Sequence, residues 1–317
     1  MKFKEFVEDI IVKVECLLDG KATATVHEVL KNNGVKLTGL SIGSNESNLS
    51  PIVYLESYWK KLGDARVLTR ITDHMLQEIA EEIVTLAQRY SNKLTTSFNN
   101  WFEDWNQVKN RLAVRLINRA SNDELIRNVP NRLVLGDLAL VVYLVLQKEN
   151  DIQDGAIGYI LITNNHLHLW RKTTEEIIDV ALRNSTIILP EVLCNMNDLI
   201  AEMLGEEKKE YKGIEEVLVA RKDIFLVLSN SQKMYGATAI LYPNVLKRIA
   251  KIINADIYIL PSSVHEVILL PVTKEVNSNS LREMVMEINR SSVVSEEEVL
   301  TNTVYMYTRE NDRIQIA

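Results

Sequence analysis

Four residues on one predicted turn carry the side chains best suited to nucleophilic catalysis. Ser262, Ser263, His265 and Glu266 stand close together, and serine beside histidine suggests a nucleophile with its base. Residues this close on one turn seldom reach the geometry of a triad, and the sequence identifies no third group. We therefore favour a structural interpretation, in which the serines bond local backbone and His265 and Glu266 face water. Ligand binding by all four stays an alternative.

A second set of charged residues could bind a small anion. Asp137 opens the apolar run GDLALVVYLVL, where a carboxylate must lie at a sheet edge, cap backbone amides or pair with a cation. Arg115 and Arg132 are candidate partners, so a structural ion pair is the default interpretation. The functional alternative is a polar pocket near Arg115, Arg132 and Asp137, with His265 as a further candidate.

Sequence patterns typical of metal and nucleotide sites are missing. His166 and His168 flank Leu167 and would share a face only on a strand, and no histidine pair has the helical HExxH spacing. No GxxxxGK[ST] loop occurs, and the two glycines at positions 155 and 158 lack the strand–turn–helix setting of a dinucleotide fingerprint. We predict neither a metal nor a cofactor.

Apolar periodicity predicts the elements of the first third. Three- and four-residue spacing indicates helices over residues 3 to 18 and 72 to 90. Two β-rich runs, 23 to 31 and 35 to 42, flank Asn32-Asn33-Gly34, which is typical of a hairpin turn. Large aromatic residues then recur at helical spacing, and we expect them to anchor one helix in the core: Phe98, Trp101, Phe102 and Trp105.

The middle of the chain is richer in strands. We predict strands at 112 to 117, 132 to 135, 139 to 146 and 157 to 163, and helices at 173 to 183 and 198 to 204. Thr173 with Glu176 forms a capping-box pattern. The charged run EEKKEYK at 206 to 212 is the best candidate for a boundary, which divides the chain into regions 1–205 and 206–317 that could also pack as one domain.

The last third reads as a strand–helix–hairpin–helix–strand unit. Strands are predicted at 224 to 228 and 238 to 241, a helix after Pro243, a further helix around Leu281 to Ile288, and a closing hairpin of 303 to 307 with 313 to 316. The hairpin of 257 to 260 with 267 to 270 is apolar without alternation, as in strands covered on both faces. Short turns between strands favour antiparallel pairing, so the predicted class is α+β, with a largely antiparallel or mixed sheet covered by amphipathic helices.

Composition narrows the class of protein. The chain has 317 residues, 46% apolar and 25% charged, which is average for globular proteins. Its net charge of −7 argues against nucleic-acid binding. Charges interrupt the first apolar segment, so it does not resemble a signal peptide, and no apolar run is long enough to span a bilayer. The two cysteines show no disulfide framework. We therefore expect a cytoplasmic protein without membrane association.

Four stretches together resemble a family of uncharacterised bacterial proteins, a domain-of-unknown-function family frequent in anaerobic Gram-positive gut bacteria. They are VHEVLKNNGVKLTGLSI (26 to 42), SPIVYLESYW (50 to 59), RLINRASNDELIRNVPNRLVLGDLALVVYLV (115 to 145) and ILPSSVHEVILLPV (259 to 272). The last third is also distantly similar to a second uncharacterised bacterial family. The resemblance implies one bacterial, cytoplasmic unit and supplies no activity.

The leading functional hypothesis is therefore a non-enzymatic protein that works through protein–protein contact, as a scaffold or a homo-oligomer. Its motivation is the apolar excess of the doubly covered strands and the aromatic helix. The alternative is a small-molecule (anion) binding protein or an enzyme, with its polar pocket near Arg115, Arg132 and Asp137.

Overall fold

The computed structural model describes residues 1–43, 52–63, 71–94, 98–146, 158–205, 213–220, 225–261, 263–291 and 294–317. Contacts group the chain into two compact units, one of Met1–Lys31 with Val35–Asp104 and the other of Asn32–Gly34 with Trp105–Ala317. The charged run at 206 to 212 lies outside the described residues. The boundary at 205 and 206 thus stays a prediction, and it falls inside the second unit.

The first unit combines helices with a three-stranded antiparallel sheet in the order β1-β2-β3. Its elements are α1 (Phe3–Leu18), β1 (Thr23–Leu30), β2 (Lys36–Gly43), β3 (Ile52–Tyr54), α2 (Leu55–Lys61), α3 (Asp73–Leu94) and α4 (Phe98–Glu103). Four residues of α1 at helical spacing, Phe6, Ile10, Val14 and Leu18, are buried in a core shared with α2, α3 and the sheet.

Local signals predicted this unit well. The N-terminal helix, the β1–β2 hairpin with its Asn-Asn-Gly turn and the second long helix are confirmed. The hydroxyl of Thr72 accepts the backbone N–H of Met75 at 3.3 Å, so it caps the first turn of α3 as expected. The prediction of one aromatic helix was wrong, because the helix breaks at Asp104 and Trp105 begins a separate helix in the second unit.

The second unit contains two antiparallel sheets and most of the remaining helices. Its elements are α5 (Trp105–Val108), β4 (Leu112–Asn118), α6 (Asp123–Ile126), β5 (Asn131–Leu135), β6 (Leu138–Leu146), β7 (Gly158–Leu161), α7 (Asn164–Trp170), α8 (Thr174–Ile188), β8 (Glu191–Asn195), α9 (Met196–Met203), α10 (Ile214–Ala220), β9 (Leu226–Asn230), α11 (Val245–Ile253), β10 (Ile257–Leu260), β11 (Val267–Pro271), α12 (Ser278–Arg290), β12 (Tyr305–Thr308) and β13 (Arg313–Ile316).

The four-stranded sheet is built around β6, which pairs with β4 on one side and with β5 and β7 on the other. β4 is an edge strand, and side-chain hydroxyls satisfy two of its outward amides. The N–H of Val114 donates to Ser185 of α8 at 3.0 Å, and the N–H of Leu116 donates to Thr238 at 3.1 Å. All four residues are buried, so these bonds close the edge where a further strand could otherwise pair.

The six-stranded sheet has the order β13-β12-β10-β11-β9-β8. The predicted hairpin of β10 and β11 is confirmed, and it occupies the two central positions. Every residue of β10 is buried, as are three of the five residues of β11, which agrees with the continuous apolar pattern. The closing hairpin of β12 and β13 is also confirmed.

The strand predicted at 238 to 241 was wrong, because Gly236–Leu241 is a 3-10 helix. Gly236 packs closely against β9 and the β10–β11 connection. A Cβ on Gly236 would lie 2.2 Å from Ser229 Oγ and 2.6 Å from both the Asn230 nitrogen and the His265 carbonyl oxygen. Only glycine lets the backbone approach so closely, and the apolar pattern of the segment contains no sign of that approach.

The protein is therefore an α+β protein whose sheets, in the described part of the chain, are antiparallel. The elements that matter for the site are β4, β6 and β7, which present one sheet face, and the chain around Gly236, which brings Tyr235 and His265 beside it. No described helix combines the length and the apolar character needed to cross a bilayer.

Candidate functional site

Arg115 and two tyrosines share one face of the four-stranded sheet. In the strand register, Arg115 lies opposite Val141 and Tyr159 lies opposite Val145, and Tyr143 stands between those two positions of β6. Because alternate residues of a strand point to the same side, Arg115, Tyr143 and Tyr159 project together.

Tyr235 completes this group from the other side. The three rings, which we call the tyrosine cluster, meet edge to face with centroid distances of 5.4 Å (Tyr143–Tyr159), 5.3 Å (Tyr143–Tyr235) and 5.8 Å (Tyr159–Tyr235). The guanidinium carbon of Arg115 lies 4.7 Å from the centroid of the Tyr235 ring. This is a cation–π contact, and it holds the cation beside the three rings.

The guanidinium of Arg115 has no compensating charge among the residues that the structure describes. Among the described residues no carboxylate forms an ion pair with it, and its buried Nε has no acceptor. The hydroxyl of Tyr143 is likewise buried without a hydrogen-bond partner in the described part of the chain, and this residue is only 2% exposed. Two polar groups in one cluster are thus left unsatisfied, each at an energetic cost.

The hydroxyls of Tyr143 and Tyr159 are protonated at neutral pH. Burial raises the pKa of Tyr143 well above its ordinary value, and burial together with Tyr235 raises the pKa of Tyr159 to about 12. A neutral phenol can donate a hydrogen bond, whereas a phenolate could only accept one. The cluster therefore offers hydrogen-bond donors beside a positive charge.

A preorganised loop holds Tyr235 in place. Its backbone is left-handed, with φ of 56°, a conformation that residues with a side chain adopt at an energetic cost. The buried side chain of Asn230 fixes the preceding turn by donating to the carbonyl of Met234 at 2.8 Å and accepting from the N–H of Gln232 at 3.1 Å. The N–H of Tyr235 donates to His265 Nδ1 at 3.2 Å.

His265 is engaged through both ring nitrogens. Because Nδ1 accepts from Tyr235, the neutral imidazole carries its proton on Nε2, which faces Glu298 Oε1 at 3.5 Å. The imidazole also stacks on the ring of Tyr235, with centroids 5.7 Å apart and an interplanar angle of 18°. These contacts orient Tyr235, and they place one carboxylate, that of Glu298, beside the histidine.

Arg132 lies elsewhere, contrary to the predicted pocket. It is opposite Leu140 on β6 whereas Arg115 is opposite Val141, so the two arginines project from opposite faces of the sheet. Arg132 bonds to Glu175 and, at 2.8 Å, to Asp179 of α8. The carboxylates are its partners in a surface ion pair.

Asp137 also lies apart from Arg115, and the predicted ion pair with an arginine was wrong. Its carboxylate accepts hydrogen bonds from the hydroxyls of Tyr305, at 2.5 Å, and of Thr301, and from the amide of Asn118 at 3.1 Å. Burial, and then this bond to Asp137, raise the pKa of Tyr305 above its ordinary range. These contacts join β12 to the turn before β6, so Asp137 has a structural role.

The remaining predicted residues lie on the β10–β11 connection. Ser262 lies outside the described residues. Ser263 is buried and its hydroxyl accepts the N–H of His265 at 2.9 Å, a bond to local backbone of the predicted kind. The prediction that His265 faces water was wrong, because its ring nitrogens contact Tyr235 and Glu298. Glu266 is partly exposed. The structure thus brings Arg115 and His265 to one place through Tyr235.

Four residues around the site were not predicted from the sequence: Tyr143, Tyr159, Tyr235 and Glu298. Tyr143 lies within an apolar run, so its ring is indistinguishable from the apolar core residues around it. The one usable signal was a buried strand tyrosine, since a buried hydroxyl normally requires a partner.

The described residues contain no cluster of three or more His, Cys, Asp and Glu that could hold a metal ion. A comparison with curated proteins and one with solved structures each found no match. Protein-family models do match: residues 3–309, nearly the whole chain, fit DUF5688. The chain therefore belongs to DUF5688, a family of unknown function.

Proposed function

We propose that this protein is a non-enzymatic binding protein that takes a small anionic ligand at Arg115 and the tyrosine cluster. The observation that carries the proposal is the partly buried guanidinium of Arg115, which has no counter-charge among the described residues. Of the predicted pocket residues, Arg115 and His265 belong to this site.

A bound anion would satisfy both unsatisfied groups. A carboxylate or phosphate oxygen could accept from Arg115 Nε and from the hydroxyl of Tyr143, and hydrogen bonds between charged groups are the stronger ones. An apolar ligand would leave both donors unpaired. Glu298 opposes anion binding only at the histidine end of the site, where its carboxylate faces His265.

The engagement of His265 supports binding without catalysis. A general base needs a free nitrogen within hydrogen-bond reach of the proton that it removes. Here Nδ1 accepts from the backbone of Tyr235, and the proton on Nε2 faces Glu298. The imidazole therefore acts as a support for Tyr235.

Removal of the Arg115 charge tests this proposal. We expect inorganic phosphate or benzoate to bind the wild type in isothermal titration calorimetry, and Arg115→Gln to weaken binding at least tenfold, since a lost charged hydrogen bond is worth about 1.5 to 3 kcal/mol. Tyr143→Phe should weaken binding less.

Arg132→Gln is the matched control, because it removes a guanidinium from the opposite sheet face. It should bind the same anion as the wild type does. The proposal is contradicted if Arg115→Gln binds the anion as tightly as the wild type does. It is also contradicted if the wild type binds no anion while its circular dichroism spectrum shows a folded protein.

A second candidate function is self-association through β1. This eight-residue strand pairs with β2 on one side and with no other described strand, and five of its residues are exposed, including Val26 at 38%. An open strand edge can pair with another strand. Antiparallel pairing of two copies centred between Val26 and His27 would set Glu28 opposite Thr25, without opposing like charges.

Light scattering after size-exclusion chromatography tests this second candidate. We expect the mass of a dimer for the wild type and of a monomer for Val26→Lys, because a lysine on an edge strand hinders further pairing. Val12→Lys, on the exposed side of α1, should remain a dimer. A monomeric wild type would rule this association out.

The predicted bacterial origin and cytoplasmic location are part of the same proposal. Cys16 is exposed and Cys194 is partly buried, and they form no disulfide with each other, as a reducing compartment favours.

A further inference from the structure

We propose that an amide-lined cleft in the second unit binds a neutral, hydroxyl-rich ligand of the saccharide class. This cleft is independent of Arg115, and its volume of about 540 Å³ suits a small ligand. We call it the amide cleft, and its wall is formed by Asn33, Ser121, Asn289, Arg290, Ser291, Val294, Glu296, Val299 and Asn302.

Asn289 supplies the polar group that points to a ligand. Its Nδ2 donates to the carbonyl of Thr301 at 3.1 Å and to Asn302 Oδ1 at 2.9 Å, and these two bonds fix which end of the amide is oxygen. The buried Oδ1 then has no donor among the described residues. A buried carbonyl oxygen without a donor costs free energy, which a ligand O–H or N–H would recover.

Asn33 is held in the cleft wall by hydrogen bonds within the protein. Asn33 has a left-handed backbone with φ of 59°, and its side-chain amide donates to the carbonyls of Glu296 at 2.8 Å and Val299 at 2.7 Å. Its backbone N–H donates to Asn122 Oδ1 at 2.8 Å. Preorganisation of this kind lowers the entropy lost on binding.

Charge balance favours a neutral ligand. The side chains of the cleft wall include one cation, Arg290, and one carboxylate, Glu296, and both residues are exposed. The other polar side chains are amides and hydroxyls, which both donate and accept. A simple carboxylate has no proton to donate to Asn289 Oδ1, whereas a sugar hydroxyl can donate there and accept from a neighbouring group.

Narrowing the cleft tests the proposal. Ser121 is exposed and lines the cleft, so Ser121→Phe should fill space there without unfolding the protein. We expect saturation-transfer NMR to detect glucose, galactose, N-acetylglucosamine or their disaccharides on the wild type. For the sugar with the strongest signal, Ser121→Phe and Asn289→Ala should each raise Kd at least tenfold.

Ser280→Phe is the control, since Ser280 is an exposed residue of α12 outside the cleft wall, and it should bind as the wild type does. The proposal is overturned if none of these sugars gives saturation transfer, or if Ser121→Phe binds as well as the wild type. It is also overturned if inorganic phosphate or ethylammonium, but no sugar, binds in a manner that Ser121→Phe abolishes.

Discussion

Gly236→Ala is expected to destabilise the second unit by about 3 kcal/mol or more, at the upper end of the cost of overpacking a rigid site. The added Cβ would overlap Ser229 Oγ at 2.2 Å and two backbone atoms at 2.6 Å. A side chain can rotate away, but the Asn230 nitrogen and the His265 carbonyl oxygen are backbone atoms, of β9 and of the β10–β11 connection. The measurement is the shift in the midpoint of chemical denaturation followed by circular dichroism.

Two further variants separate crowding from backbone strain. Gly20 has a positive φ of 70°, and a Cβ added there would have no atom within 4 Å. Gly20→Ala should therefore lower the free energy of unfolding by only about 1 kcal/mol. Adding Ser229→Ala to Gly236→Ala should restore part of the loss by removing one of the three overlaps. A Gly236→Ala protein as stable as Gly20→Ala would show that the strands can move apart.

Asp137→Asn is expected to lower the free energy of unfolding by about 2 to 4 kcal/mol, because hydrogen bonds to a charged group are worth about 1.5 to 3 kcal/mol each. The carboxylate accepts from Tyr305, Thr301 and Asn118. An asparagine keeps one oxygen but turns an NH2 group toward hydroxyls that donate. Tyr305 and Thr301 are buried, so water cannot readily replace the lost acceptor.

Tyr305→Phe is the comparison for this second prediction. It removes one donor and leaves the carboxylate with Thr301 and Asn118, so its effect on the denaturation midpoint should be smaller. Arg132→Gln, which breaks contacts with the exposed residues Glu175 and Asp179, should change stability least. An Asp137→Asn variant no less stable than Tyr305→Phe would contradict the role assigned to the charge.

Elements with local signals were predictable from the sequence. The apolar stripe of α1, the Asn-Asn-Gly turn of the β1–β2 hairpin and the Thr173–Glu176 capping box each specify structure within a few residues, and each is confirmed. The 3-10 helix after Gly236 was not predictable, because its cause is the close approach of β9 and the turn after β10. The more distant of these contacts, with His265, comes from a residue about thirty positions later in the sequence.

The candidate site was predictable only in part. Arg115 and His265 were both predicted as candidates for their chemistry, but no sequence motif marked their common neighbour Tyr235 as a site residue. The separation of Arg115 from Arg132 depends on strand register, since a shift of one residue would have placed both on the same face. Register is set by tertiary pairing, which a single sequence does not display.

The hydroxyls that close the edge of β4 have a consequence for synthesis of the chain. Their donors and acceptors are 71 positions apart for Val114 and Ser185 and 122 positions apart for Leu116 and Thr238. On the ribosome, the sheet that carries Arg115 is complete long before Thr238 emerges. Until then the N–H of Leu116 has no hydroxyl partner, and the edge of β4 is only half closed. Two nascent chains on one messenger can pair through such an open strand edge.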